Sequence, residues 1–357
     1  MATVEQVLKA LSTVNDPELH RDLVSLKMID DVRIEGGTVR FKVILTTPAC
    51  PLKGKIQADC TEAVQRMVPG VTEVAIEWGA NVQASLQPTS IPGIKHIIAV
   101  GSGKGGVGKS TVTVNLALAL AETGAKVGVL DGDIYGPSIP LMMGVNEKPY
   151  VQDGKILPIE KYGIKLMSIG FLLPNADDPV IWRGPMLAGV LQQFERDVAW
   201  GELDYLLVDL PPGTGDVPLS LAQQIPLSGV AIVLTPQPVA QQIGMKSLKM
   251  FQQLPTQVPI LGIVENMSSF VCPQCSHETP IFSTGGGSKM SEVANVPLLG
   301  EIPLDPKIRT GGDEGKPVFV AEPQSPQAEA FRNIARHMAG QVSIRNFNRM
   351  VELPVFS

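Results

Sequence analysis

His96-Ile97-Ile98-Ala99-Val100-Gly101-Ser102-Gly103-Lys104-Gly105-Gly106-Val107-Gly108-Lys109-Ser110 is the stretch on which the fold turns. A short, continuous apolar run gives way to a glycine-rich turn and then to a helical pattern from about Lys109 to Glu122, which Gly124 ends. Within it, Gly103–Ser110 matches G-x-x-x-x-G-K-[ST], the spacing of a phosphate-binding loop between a strand and a helix. The glycines let successive backbone N–H groups point at one centre, and the positive end of the following helix faces the same anion. Lys109 is expected to reach terminal phosphates and Ser110 to ligate Mg²⁺. Replacing Lys109 with Ala is expected to abolish hydrolysis and leave the fold intact.

Further apolar runs follow at Lys126–Leu130, Tyr205–Leu210, Val230–Leu234 and Pro259–Val264, separated by helical stretches such as Val239–Leu254. Strands that are apolar throughout, rather than alternating, predict an α/β fold with a parallel sheet covered on both faces. Carboxylates at the C-terminal ends of such strands face the ligand crevice. In Asp131-Gly132-Asp133, Asp133 is expected to orient an attacking water and Asp131 to support Mg²⁺. Tyr205–Asp209 is an apolar strand ending in an acid, the pattern of a Walker B element, with Asp209 expected on Mg²⁺ through a water. Leu210-Pro211-Pro212-Gly213-Thr214-Gly215-Asp216 reads as a loop that senses the γ-phosphate.

Ahead of this pattern lies a different one. A helical stretch through Val4, Val7, Leu8 and Leu11 precedes an alternating strand, Thr38–Thr46, in which Val39, Phe41, Val43 and Leu45 face one way and Arg40 and Lys42 the other. A helix over Leu52–Met67 and a strand over Val71–Glu77 complete a small α+β domain. The predicted organisation is therefore 1–87 small domain, 88–94 linker, 95–340 phosphate-loop domain and 341–357 C-terminal tail. In the tail, Ile344, Phe347, Met350 and Val351 read as a short docking segment.

The 357 residues are 44% hydrophobic and 18% charged, ample for buried cores and unlike a disordered chain. Net charge is −6, with 9 basic against 11 acidic residues up to Ser90 and 20 against 24 beyond. No dense Lys/Arg run is present, so nucleic-acid binding is not expected. The apolar runs fall far short of the roughly 20 residues of a membrane span. With Glu5, Asp16 and Glu18 near its start, the chain resembles neither a signal nor a transit peptide. Four cysteines suit a reducing compartment, and the expected location is cytoplasmic.

Cys272-Pro273-Gln274-Cys275 supplies two thiols at metal-ligand spacing. Ser276-His277-Glu278-Thr279-Pro280 does not read as the helix of a thioredoxin motif, and haem attachment needs His where Ser276 stands. Zinc, with His277, and an iron–sulfur cluster remain, beside a pair with no ligand. Both metal sites want four protein ligands, and a two-fold dimer donating each cysteine twice is the simplest closure. Cys50, before the Leu52 helix, is expected to have a lowered pKa and is a candidate transfer ligand; Cys60, mid-helix, reads as packing.

The two-lysine loop Gly103–Thr111, Asp131–Pro137 (DGDIYGP), Asp209–Asp216 (DLPPGTGD), Asn266-Met267-Ser268 and Cys272–Cys275 together resemble the Mrp/ApbC family of P-loop ATPases, carriers of iron–sulfur clusters. Asp16-Pro17-Glu18 and Thr46–Pro51 are similar to a MIP18-type domain. The resemblance spans roughly Thr3 to Ala339. It implies a deviant Walker A, SIMIBI-type fold, with ATP and Mg²⁺ cradled by Gly103, Lys104, Gly105, Gly106, Val107, Gly108, Lys109, Ser110 and Thr111. It further implies an ATP-linked homodimer, Lys104 acting across it, adenine contacts from Asn266, and a [4Fe-4S] cluster bridging Cys272 and Cys275 of two copies. Implied partners are cluster donors or scaffolds and apo iron–sulfur proteins. Two other readings are a spatial-organisation ATPase with structural zinc and an electron-transfer ATPase like the nitrogenase iron protein. The first wants a basic amphipathic C-terminal helix, where only Arg345 and Arg349 stand before Pro354; the second takes its cysteines from two separated loops.

Overall fold

The computed structural model describes residues 2–85, 91–172, 189–190, 193–194, 196–254, 258–272, 274–275 and 277–352. Linker residues 88–90, Pro273 of the cysteine motif and tail residues 353–357 lie outside them. The chain forms two units, Met1–Gln83 with Ala339–Ser357, and Ala84–Met338.

In the first unit, Thr3 and Gln6 close a capping box on α1 (Val4–Leu11), each side chain bonded to the other's backbone N–H. The sheet has the order β1 (Ile29–Glu35), β2 (Thr38–Leu45), β3 (Glu73–Ala80), with β2 antiparallel to β1 and parallel to β3. Val39, Phe41, Val43 and Leu45 are buried in one core with α1 and α2 (Lys53–Met67), whereas Arg40 is exposed. Strand β1 has no counterpart in the sequence reading. A register shift between Asp30 and Arg33, with Asp31 at φ +50°, breaks the alternation by which a strand is recognised.

The second unit is built on β4 (Ile94–Ser102), with α3 (Lys109–Glu122), β5 (Val127–Asp131) and α4 (Ile139–Met142) next along the chain. The hairpin β6–β7 (Val151–Gln152, Lys155–Ile156) precedes β8 (Ile159–Lys161) and β9 (Ile164–Ser168). Then come β10 (Leu203–Asp209), α5 (Asp216–Gln224), β11 (Gly229–Leu234), α6 (Pro238–Gln253), β12 (Ile260–Val271) and β13 (Glu278–Thr279). The remaining elements are α7 (Gly286–Ala294), β14 (Leu298–Leu304), α8 (Pro306–Asp313), α9 (Val318–Ala321) and α10 (Pro326–Glu352), the last of which belongs to the first unit from Ala339 onward. Segment 341–357 is thus helical as far as Glu352.

The sheet runs β13-β12-β11-β4-β10-β5-β9-β8, with β14 also on β12; all pairings are parallel except β12–β13 and β8–β9. Every residue of β5 and β11 is buried, as is Tyr205–Asp209 in β10. The continuous apolar runs follow from that two-sided cover. Helix α3 is buried from Val112 to Leu120, so it too is apolar nearly all round. β4 lies between β10 and β11, which puts the loop after it at the point where the chain's winding reverses, the usual ligand crevice of such sheets.

Candidate functional site

The loop after β4 is shaped by what surrounds it. At Gly103 a Cβ would stand 2.6 Å from both the carbonyl carbon and oxygen of Ile243, because α6 crosses directly against the turn. Gly108, the residue before α3, has φ +81° and faces the Asn266 amide so closely that a side chain there would collide with it. Both positions therefore require glycine. The Asn266 amide donates to Val107 O at 2.8 Å, fastening β12 to the loop.

Register then brings the acids together: Asp209 pairs with Asp131 across β10 and β5. The Lys109 ammonium donates to Asp209 Oδ2 at 2.7 Å and lies 3.4 Å from Asp133 Oδ2. Ser110 Oγ donates to the same Asp209 oxygen at 2.5 Å, and Thr113 Oγ1 is 2.7 Å from Asp209 Oδ1. Asp209 is fully buried, and Lys109 is 6% exposed. Burial, reinforced by the Asp209 charge, pushes Asp131 up to about 7, against the hydrogen bonds from Ser168 Oγ and the Ile139 N–H. Burial also raises Asp133, with Lys109 pulling the other way. Desolvation thus outweighs one shared lysine, and the cluster is short of positive charge.

Lys104 points elsewhere. Its ammonium donates to Gln237 Oε1 of the same chain at 3.1 Å, while Ser102 Oγ donates to the Lys104 carbonyl at 3.0 Å. A cleft of about 180 Å³ is lined by Lys104–Thr111, Ser102, Asp133, Met142 and Pro212. Gly108, Thr111 and Met142 are shared with a second, more apolar cleft of about 280 Å³, whose other walls include Asn266, Met267, Pro303, Leu304 and Ile308. The arrangement suits a ligand with an anionic end on the loop and a flat apolar end beside Asn266.

Cys272 follows the last residue of β12, and β13 folds back on Phe270 and Val271, so Cys272, Gln274 and Cys275 lie at the tip of a two-stranded hairpin. The Cys272 N–H donates to His277 O at 3.0 Å. The backbone N–H groups of Gln274 and Cys275, and the Cys275 thiol, hold the Cys272 thiol below its ordinary range. Cys275 and the His277 side chain are exposed. Among the described residues no three His, Cys, Asp or Glu side chains are grouped to hold a metal.

Cys50 departs from expectation. It precedes α2, and the N–H groups of Leu52 and Lys53 do lower its pKa, but burial dominates and pushes the thiol up to about 11. The helix end is there, yet desolvation is the larger effect. Cys60 is fully buried in the core with its thiol pushed to about 12, as a packing residue should be. Thr113, Ser168 and Gln237 were not picked out from the sequence. Only Thr113 carried a signal there, lying one helical turn beyond Lys109.

A parallel sheet with a glycine-rich loop at its switch point, a buried lysine and acids on the neighbouring strand ends defines a P-loop NTPase of the ParA/MinD type. A profile described as "NUBPL iron-transfer P-loop NTPase" matches residues 93–339, and one described as "Iron-sulfur cluster assembly protein" matches residues 4–77. An iron–sulfur cluster carrier protein of Deinococcus radiodurans is 52% identical over 354 residues, covering 98% of this chain and 99% of the relative. Its Escherichia coli namesake is 40% identical over 343 residues, 94% and 91% of the two chains. Among solved structures, a nucleotide-binding protein of Archaeoglobus fulgidus in complex with ADP, with Co found in it, is 43% identical, with TM-score 0.58 over 66% of this chain and 91% of that one. The chain belongs to the iron–sulfur cluster carrier family of P-loop NTPases. No helix among the described residues is long and apolar enough to cross a membrane.

Proposed function

We propose that this protein binds and hydrolyses ATP, and that two copies together carry a [4Fe-4S] cluster which they deliver to apoproteins. The observation that carries the reading is the hairpin tip: two accessible thiols, one of them held towards thiolate by backbone N–H groups, on the strand that also supplies Asn266 to the apolar cleft. A cluster asks for four thiolates, and Cys272 and Cys275 from two chains provide them. The cysteine motif as a zinc-only site is the outcome the experiment below must exclude.

In the nucleotide site, the loop from Gly103 to Thr111 cradles the phosphates with its backbone N–H groups. Lys109, now on Asp209 and Asp133, turns to the terminal phosphates as these compete with the carboxylates for its charge. Asp133, with Oδ1 fixed by the Tyr135 N–H at 3.2 Å, orients the attacking water. Asn266 and its neighbours take the adenine, and Lys104 stabilises charge on the nucleotide of the other copy. The crowd of acids short of positive charge fits a hard divalent cation: Ser110 and Asp209 would hold Mg²⁺, with Asp131 behind them. The ion would neutralise charge on the phosphate oxygens.

The test is anaerobic reconstitution with iron and sulfide, followed by mass determination and metal and acid-labile sulfide analysis. The expected result is a brown species of twice the chain mass with four iron and four sulfide per dimer (the [4Fe-4S] stoichiometry). The C272S/C275S variant should lose these and keep ATP binding. Full loading of a monomer, or zinc retained in place of iron, would overturn the reading.

A further inference from the structure

Gln237 is the residue immediately before α6, and its side chain makes no bond to the first free N–H groups of that helix. Its Oε1 instead receives Lys104 Nζ at 3.1 Å and Thr235 Oγ1 at 3.3 Å. Thr235 is buried, so its hydroxyl holds the amide oxygen at a fixed place. Lys104 has its backbone pinned through Ser102 and, among the described residues, is bound at its tip by a neutral oxygen. A neutral acceptor holds an ammonium less firmly than a carboxylate does, and yields it readily to a phosphate dianion.

We infer that Gln237 is a positioning residue for Lys104: it parks the lysine within its own chain in a grip weak enough for a second copy's nucleotide to take it. The inference rests on the reading above in which Lys104 acts across a dimer. Its chemistry demands a neutral acceptor at 237. A carboxylate there would keep the lysine at home, and a side chain without an acceptor would leave it unrestrained.

The experiment compares Q237E, Q237A and K104A in the full-length chain, measuring steady-state kcat and KM for ATP and the equilibrium affinity for a fluorescent ATP analogue. Q237E is isosteric, and an acid at a helix N-terminus favours the helix, so it should fold. Expected for Q237E is a roughly tenfold fall in kcat, with KM and analogue affinity within twofold of wild type. Raising the salt concentration should restore part of the loss, because a half-buried ion pair is still weakened by screening, though less than an exposed one. Q237A should have kcat at or above the wild-type value. A merely structural role would lower both variants together and would not respond to salt. Q237E turning over like wild type while K104A is inactive would overturn the parking role alone. Full activity in K104A would instead remove the trans-acting lysine and with it the basis of the inference.

Discussion

Removing the charge of Lys109 should destabilise the fold itself. In the nucleotide-free chain the ammonium is 2.7 Å from the carboxylate of Asp209, which has no exposed surface, and Asp131 lies in register beside it. In Lys109→Met that carboxylate keeps, among the described residues, the hydroxyls of Ser110 and Thr113. Breaking one side of a buried pair costs about 3–5 kcal/mol, and two remaining donors argue for the low end. About 3 kcal/mol corresponds to roughly 150-fold in an opening equilibrium. Asp209→Asn should cost less, about 1–2 kcal/mol, because Lys109 retains Asp133 at 3.4 Å. The double variant should return to within about 1 kcal/mol of wild type, since replacing both partners of a buried pair is close to neutral. Hydrogen exchange of peptides covering Leu203–Asp209 reads this directly, with no nucleotide present. If the Lys109→Met peptides keep wild-type protection within about twofold, the lysine is not part of the core and the argument is wrong.

The other expected outcomes are these. Asp131 is raised from 3.8 to about 7 in the folded state, so the fold holds its proton more tightly than the unfolded chain does. Its contribution is full below pH ~4 and is lost as pH rises towards 7; Asp131→Asn should gain stability relative to wild type as pH rises from about 4 to about 7, and a constant difference across that range would refute the shift. Thr113→Val removes a donor from a buried carboxylate and should lower β10 protection by about 1–2 kcal/mol, whereas Thr113→Ser should restore it. In alkylation at pH 8 followed by mass spectrometry, Cys272 and Cys275 should be modified long before Cys50 and Cys60, whose thiols burial has pushed to about 11 and 12. Equal labelling of Cys50 and Cys272 would contradict that order.

How much of this was legible beforehand depends on how far apart the partners lie in the chain. The phosphate loop and the strands that frame it are local patterns: each apolar run is buried on both faces, and the glycines are forced within a few residues of the contacts that force them. The side chains that set the chemistry of the acids are not local. Ser168 reaches Asp131 from 37 positions away, and Gln237 reaches Lys104 from 133. Sheet order decides both, and no spacing rule encodes it. Cys50 illustrates a different gap. Its nearness to a helix start can be read along the chain, but its burial among residues distant in sequence cannot, and burial decides its pKa. Strand β1 was hidden because its register shift destroys the two-residue period.

A cysteine hairpin can share a centre between copies only if each copy presents its thiols at a fixed place, and a two-residue ladder is too short to hold itself. Its rigidity has to come from its roots. The incoming arm is β12, which Asn266 ties to the phosphate loop through Val107 O. There the strand bends: Met267 has φ +59°, and its pairing with β14 shifts register between Asn266 and Phe270. The outgoing arm leads to α7, whose Gly287 N–H is held by the buried carboxylate of Glu265, one residue before Asn266. A Cβ at Gly286 would strike Gln241 and the Pro236 backbone, so this turn is also pressed against the start of α6. Both arms therefore meet at neighbouring residues of one strand, next to the glycine-rich loop after β4. The contacts that would hold a shared site in place are thus the ones that shape the cleft at that loop, so the hairpin and the cleft have a common structural root.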